Sequence, residues 1–148
     1  MYLQARVFIK TALGLLLASV LLGALLLANQ GLRLHSGLGA LLPVYYHLLM
    51  FGWATQLICG VALWLFPPLA PERPRGDERL GWFAYGALNG GLALRAVAEP
   101  LQALQPSPWS AWGLAAAALL QVLAVWAIVF ALWPRVKGRP DPGRKGAP

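Results

Sequence analysis

The sequence predicts an all-α, polytopic membrane protein: a bundle of four transmembrane helices with both termini on the cytoplasmic side. Three observations predict it. The chain is 59% hydrophobic and only 11% charged, whereas a water-soluble domain averages roughly a quarter charged residues. Its apolar residues gather into four runs, each about long enough to cross a bilayer. Its 12 lysines and arginines fall almost entirely on one side of those runs, as the positive-inside rule describes.

The first span is expected over about residues 10–28. Arg6 and Lys10 precede an apolar run from Thr11 to Ala28. That run exceeds the h-region of a signal peptide, about 7–15 residues, and Leu26-Leu27-Ala28 is a poor cleavage signature, so a retained helix is expected. A polar connection, 29–39, carries Arg33 and His35.

The second span, 44–66, is the stretch VYYHLLMFGWATQLICGVALWLFPP. Pro43 suits a first helical turn and Pro67-Pro68 a sharp stop. At 1.5 Å per residue it covers about 34 Å, enough to cross with some tilt. A loop rich in proline, arginine and acids leads to the third span, 80–99, which ends at Glu99-Pro100. Gly86-x-x-x-Gly90 within it allows two helices to approach closely, and internal packing is preferred over dimerisation as its use. The fourth span, 109–133, carries tryptophans near both ends, where interfacial aromatics belong. The tail, 135–148, is rich in Pro, Gly and basic residues and is expected to be disordered.

With four spans, the amino end, the middle loop and the tail share a side. They hold Arg6, Lys10, Arg73, Arg75, Arg79, Arg135, Lys137, Arg139, Arg144 and Lys145, against Arg33 alone opposite, with Arg95 inside span three. Both termini are therefore expected in the cytoplasm of a multi-pass cell-membrane protein. The net charge of +7 follows from this topology, so nucleic acid is not an expected partner; the lipid bilayer is. The single cysteine, Cys59, excludes an internal disulfide and a cysteine metal cluster within one chain.

His47 stands out because ionisable groups inside spans are costly and tend to be kept for a task. Helix direction places it roughly 5 Å below the outer end of span two. Arg95 and Glu99, near the outer end of span three, are at a similar height. They are spaced i, i+4 and can pair on one face. Arg95 then either neutralises Glu99 and snorkels outward or holds an anionic group such as a carboxylate or propionate. His47 has three readings: a polar group bonded to another helix, an axial haem ligand beside a slot lined by Met50, Phe51, Ala54 and Ile58, or a proton or quinone contact working with Arg95 or Glu99. A deeper polar layer of Gln56, Asn89 and Gln121 is expected to hydrogen-bond across helix interfaces, with a structural role. Gln56 is nine residues from His47, about 900° at 100° per residue, and points to the opposite face.

The segment His47-Leu-Leu-Met-Phe-Gly-Trp-Ala-Thr-Gln, with its later glycine and closing proline, resembles the histidine-bearing second helix of small membrane proteins related to subunit I of haem–copper oxidases and nitric oxide reductases. Asn89-Gly90-Gly91, Arg95 and Glu99-Pro100 are similar to their third helix. The resemblance implies haem b as a cofactor, with His47 as axial ligand; Arg95 is a candidate propionate partner by its position rather than by the motif. His35 is a candidate second ligand only from a folded-back loop, because 12 residues of straight helix separate the two by about 18 Å. The catalytic subunits carry many more spans and further histidines around copper or non-haem iron; this chain has two histidines and cannot build a binuclear reductase centre alone.

The expected function is therefore a non-catalytic accessory or assembly protein of such a respiratory system, with a large oxidase or reductase subunit, and a homo-oligomer, as candidate partners. The alternative is a haem-b protein serving as electron carrier or haem sensor. A small transporter or channel is less well matched, since the sequence shows no inverted repeat and no broken helix pair.

Overall fold

The computed structural model describes residues 1–69 and 77–136, and every described regular element is helical. Helix α1 covers Leu3–Leu32. Helix α2 covers Ser36–Leu65 in four consecutive parts: a 3-10 turn, Ser36–Leu41, an α turn, Leu42–His47, a π segment, Leu48–Thr55, and an α segment, Gln56–Leu65. Helix α3 covers Glu78–Leu104. Helix α4 covers Pro108–Leu132 and closes on a 3-10 turn, Trp133–Arg135.

Three of these helices, α1, α2 and α4 with its closing turn, are long and apolar enough to cross a membrane. Helix α3 is 27 residues long, but Glu78, Arg79, Arg95 and Glu99 dilute its apolar character. Large apolar side chains cover the outside: Leu17, Leu21, Trp112 and Trp126 are all exposed. A water-soluble monomer rarely presents so continuous an apolar surface, and a lipid environment accounts for it. The interior is built from small, aliphatic and aromatic residues of all four helices, among them Ala5, Phe8, Leu63, Ala84 and Ala127.

Local chemistry sets the helix ends. Ser107 and Ser110 form a reciprocal capping box ahead of Pro108 in the first turn of α4. Asp77 accepts from the Arg79 N–H at 2.9 Å at the start of α3. Helix α1 ends on Arg33, which adopts a left-handed conformation at φ 51° and ψ 46° and donates its N–H to the Asn29 carbonyl. Glycine is the residue that takes this geometry without a Cβ penalty. Arg33→Gly is therefore expected to stabilise the protein by about 1 kcal/mol, read as a higher midpoint of thermal unfolding in detergent.

Several expectations need correction. Only Leu34 and the residues flanking it, 33–35, separate α1 from the turn that begins α2, so the polar connection over 29–39 is mostly helical. Helix α3 does not stop at Glu99-Pro100 but continues through Pro100 to Leu104. A proline inside a helix removes one hydrogen bond, and in apolar surroundings neighbouring groups make this tolerable. Gly86 and Gly90 do not serve internal packing, since a Cβ at either would meet nothing within 4 Å. The close approaches lie elsewhere: a Cβ at Gly60 would come within 2.9 Å of Phe8 Cβ, and one at Gly91 within 3.0 Å of the Ala117 carbonyl oxygen. The tail expectation, from 137 onward, and Arg73 and Arg75 lie outside the described residues.

Candidate functional site

The amino ends of α1 and α3 meet the carboxyl end of α2. Tyr2 Oη donates to the Leu63 carbonyl at 2.9 Å, Gln4 Nε2 to the Glu78 carbonyl at 3.1 Å, and Thr11 and Tyr85 join through their hydroxyls at 2.9 Å. This anchoring directs α2 and α3 in opposite senses. His47, early in α2, therefore lies level with Arg95 and Glu99, late in α3.

These three side chains form one cluster. Arg95 Nη1 is 3.2 Å from Glu99 Oε1, the i, i+4 pair expected from their spacing. His47 Nδ1 is 2.8 Å from the Pro43 carbonyl oxygen one turn earlier and 3.4 Å from Glu99 Oε1. His47 Nε2 faces Arg95 Nη1 in a short contact. A guanidinium can only donate, so Nε2 must accept and the ring proton sits on Nδ1, where the Pro43 carbonyl receives it. The side chains are 25%, 18% and 10% exposed for His47, Arg95 and Glu99, so the pair is only lightly screened by solvent. Phe51, one turn on, stacks on the imidazole with centroids 5.9 Å apart. The π segment begins directly after His47; such segments are frequent at functional sites. Gly52 within it takes Leu15 against its backbone, where a Cβ would lie 3.1 Å from Leu15 Cδ1.

His47 and Arg95 line one side of a cleft of about 420 Å³, and Gln121, Val122, Val125 and Trp126 of α4 line the other. The remaining expected residues divide. His35 is exposed in the short connection, where its Nδ1 accepts the Gly37 N–H at 3.0 Å; it makes no bond to the cluster. Gln56 is fully buried, and neither of its amide atoms has a partner. Asn89 donates to the Tyr85 carbonyl of its own helix at 2.9 Å. Gln121 is buried with Nε2 unpartnered. The expected hydrogen-bonded layer across helices is thus not formed. A short asparagine reaches the carbonyl four residues back more readily than a neighbouring helix.

An axial haem ligand needs a free ring lone pair and an open slot beside it. Nε2 of His47 is occupied by Arg95, while Met50 and Ile58 are exposed outside the cleft that His47 and Phe51 share. His35 supplies no second ligand from its position. In this arrangement the residues do not fit a haem. Among the described residues no group of three or more His, Cys, Asp or Glu is placed to hold a metal ion.

One site residue was read only as a topology marker. Arg135, 3% exposed, donates from Nε to the Pro67 carbonyl at 3.1 Å and from Nη2 to the Leu63 and Phe66 carbonyls at 3.1 and 2.6 Å. It closes the carboxyl end of α2, where a helix leaves carbonyls unpaired and favours a cation. The signal was present in the sequence: a helix stopped by two prolines on the side to which α4 returns with an arginine. Compared with protein families, curated proteins and solved structures, the chain matches none of them.

Proposed function

We propose that this chain is a four-span protein of the cell membrane, with both termini cytoplasmic, that acts as a non-catalytic accessory or assembly protein of a respiratory haem–copper oxidase or nitric oxide reductase system. The observation that carries the non-catalytic reading is the engagement of the histidine. His47 uses one ring nitrogen on Pro43 and the other on Arg95, which pairs with Glu99, so the imidazole offers no free nitrogen to a redox centre. The association with respiration rests on the resemblance of the His47 and Asn89–Pro100 stretches. The topology is supported by the meeting of Gln4, Leu63, Glu78 and Arg135 at one end, close in sequence to Arg6 and Arg79, since the positive-inside rule expects such basic residues on the cytoplasmic side.

Affinity purification at native expression in mild detergent tests the reading. Co-elution of a large haem-bearing subunit in stoichiometric amount supports it, and elution of this chain without one contradicts it. A second copy of the chain is the other proposed partner. Its test is the mass of the detergent-solubilised particle before and after Gly90→Leu, since Gly86 and Gly90 leave an open face on α3.

A second reading, haem b on His47 with Arg95 at a propionate, is favoured by one observation: both residues line the same cleft. It requires Arg95 to release Nε2 of His47.

A further inference from the structure

The cleft beside the cluster does not end at Trp126. A second groove, of about 300 Å³, shares Val125 and Trp126 with it and continues along α4 past Val129 and Phe130 to Trp133. From Gln121 to Trp133 the track is about 18 Å long at 1.5 Å per residue. One end of the combined furrow is polar, through His47, Arg95 and Gln121. The rest is apolar.

The polar end carries unpartnered hydrogen-bonding groups of both kinds. Gln121 is 6% exposed and its Nε2 has no partner; Nε of Arg95 is buried and also has none. The buried Glu99 Oε2, an acceptor in the same cluster, also has no partner, so these groups call for a ligand that both accepts and donates. Because Glu99 already balances Arg95, the site favours an uncharged group of this kind over a full negative charge. Depth narrows the ligand further. Measured along the helices, Arg95 lies about 14 Å from the end of α3 at Leu104, and Gln121 about 20 Å from the start of α4 at Pro108. With both helices crossing the bilayer, the polar end is submerged. A phospholipid phosphate is held at the interface by its permanent charge, whereas a carboxyl can shed its charge and enter an apolar region.

We propose that this furrow binds a free long-chain fatty acid, its carboxyl accepting from Gln121 Nε2 and Arg95 and its hydrocarbon chain lying along Val125, Trp126 and Val129 toward Trp133. The proposal rests on the four-span placement and is independent of the accessory role, so co-purification with a respiratory subunit survives its failure.

The test is displacement of a fluorescent long-chain fatty acid from the full-length protein in nanodiscs. Oleate, octadecene (the same length without a carboxyl) and phosphatidylglycerol serve as competitors. Oleate is expected to compete saturably and the other two not. Gln121→Leu, close in volume, is expected to weaken oleate roughly fivefold, the loss of one hydrogen bond to an uncharged carboxyl. Val129→Trp, filling the apolar track from an exposed position, is expected to weaken it without touching the polar end. Helical circular dichroism confirms that both variants fold. Equal competition by octadecene, or oleate binding unchanged in both folded variants, overturns the proposal in favour of a lipid-facing furrow. Preferential displacement by phosphatidylglycerol overturns it in favour of a phospholipid site.

Discussion

Arg95→Met is expected to destabilise the protein by about 3 kcal/mol. The substitution keeps the length and apolar stem of the side chain but leaves the Glu99 carboxylate, only 10% exposed, without its cation. It also strands Nε2 of His47, which has Arg95 as its donor. Losing one partner of a poorly solvated pair is costlier than losing both, because the survivor keeps its desolvation penalty. The double variant Arg95→Met/Glu99→Leu should therefore recover more than half of the loss. Denaturant titration of the four proteins in a double-mutant cycle reads this directly, with a coupling of about 1–3 kcal/mol between the two sites. Additive losses would mean that the two charges act separately and that the cluster is not a unit.

The second large effect is expected at Arg135. Its guanidinium bridges three carbonyls at the end of α2, and no other residue of the closing turn carries a comparable fork. Arg135→Ala should cost about 3 kcal/mol, since bonds to charged groups each contribute roughly 1.5–3 kcal/mol and water recovers part at a helix end. Arg135→Lys should restore little of it, because an ammonium is a compact point charge without the planar fork. Amide hydrogen exchange at Leu63–Phe66 is the matching local readout: faster in both variants if Arg135 fastens this end, unchanged if it is only a topology signal.

Much of the site was legible because it depends on helix geometry alone. Alternating helix direction and a rise of 1.5 Å per residue put His47 and Arg95 at one height, and i, i+4 spacing paired Arg95 with Glu99. The extent of α4 followed from its apolar run, whereas α1 begins at Leu3 and α2 at Ser36, each well before the apolar run that marks it. What escaped depends on which faces of the helices meet. Gly86-x-x-x-Gly90 reads as a packing face, yet neighbours close in on other glycines, Gly23, Gly52, Gly60, Gly81 and Gly91 among them. Gln56, Asn89 and Gln121 share a depth but not a contact, because depth is set along the helix and contact by rotation about it. The π segment Leu48–Thr55 alters that rotation midway along α2, which a projection at 100° per residue does not capture. Pro100 reads as a terminus because proline removes a helix hydrogen bond and clashes with the preceding turn, a cost that neighbouring groups offset in a membrane helix.

The account stands most directly on what His47 does with its ring. Here it donates from Nδ1 to Pro43 and accepts at Nε2 from Arg95, contacts that hold α2 against α3. The visible absorption spectrum of the full-length protein, produced with ample haem and purified free of every other subunit, is the deciding measurement, recorded beside that of His47→Ala. The account predicts that both proteins are colourless, with His47→Ala less stable to heat. A Soret band in the wild-type protein that disappears in His47→Ala would contradict it.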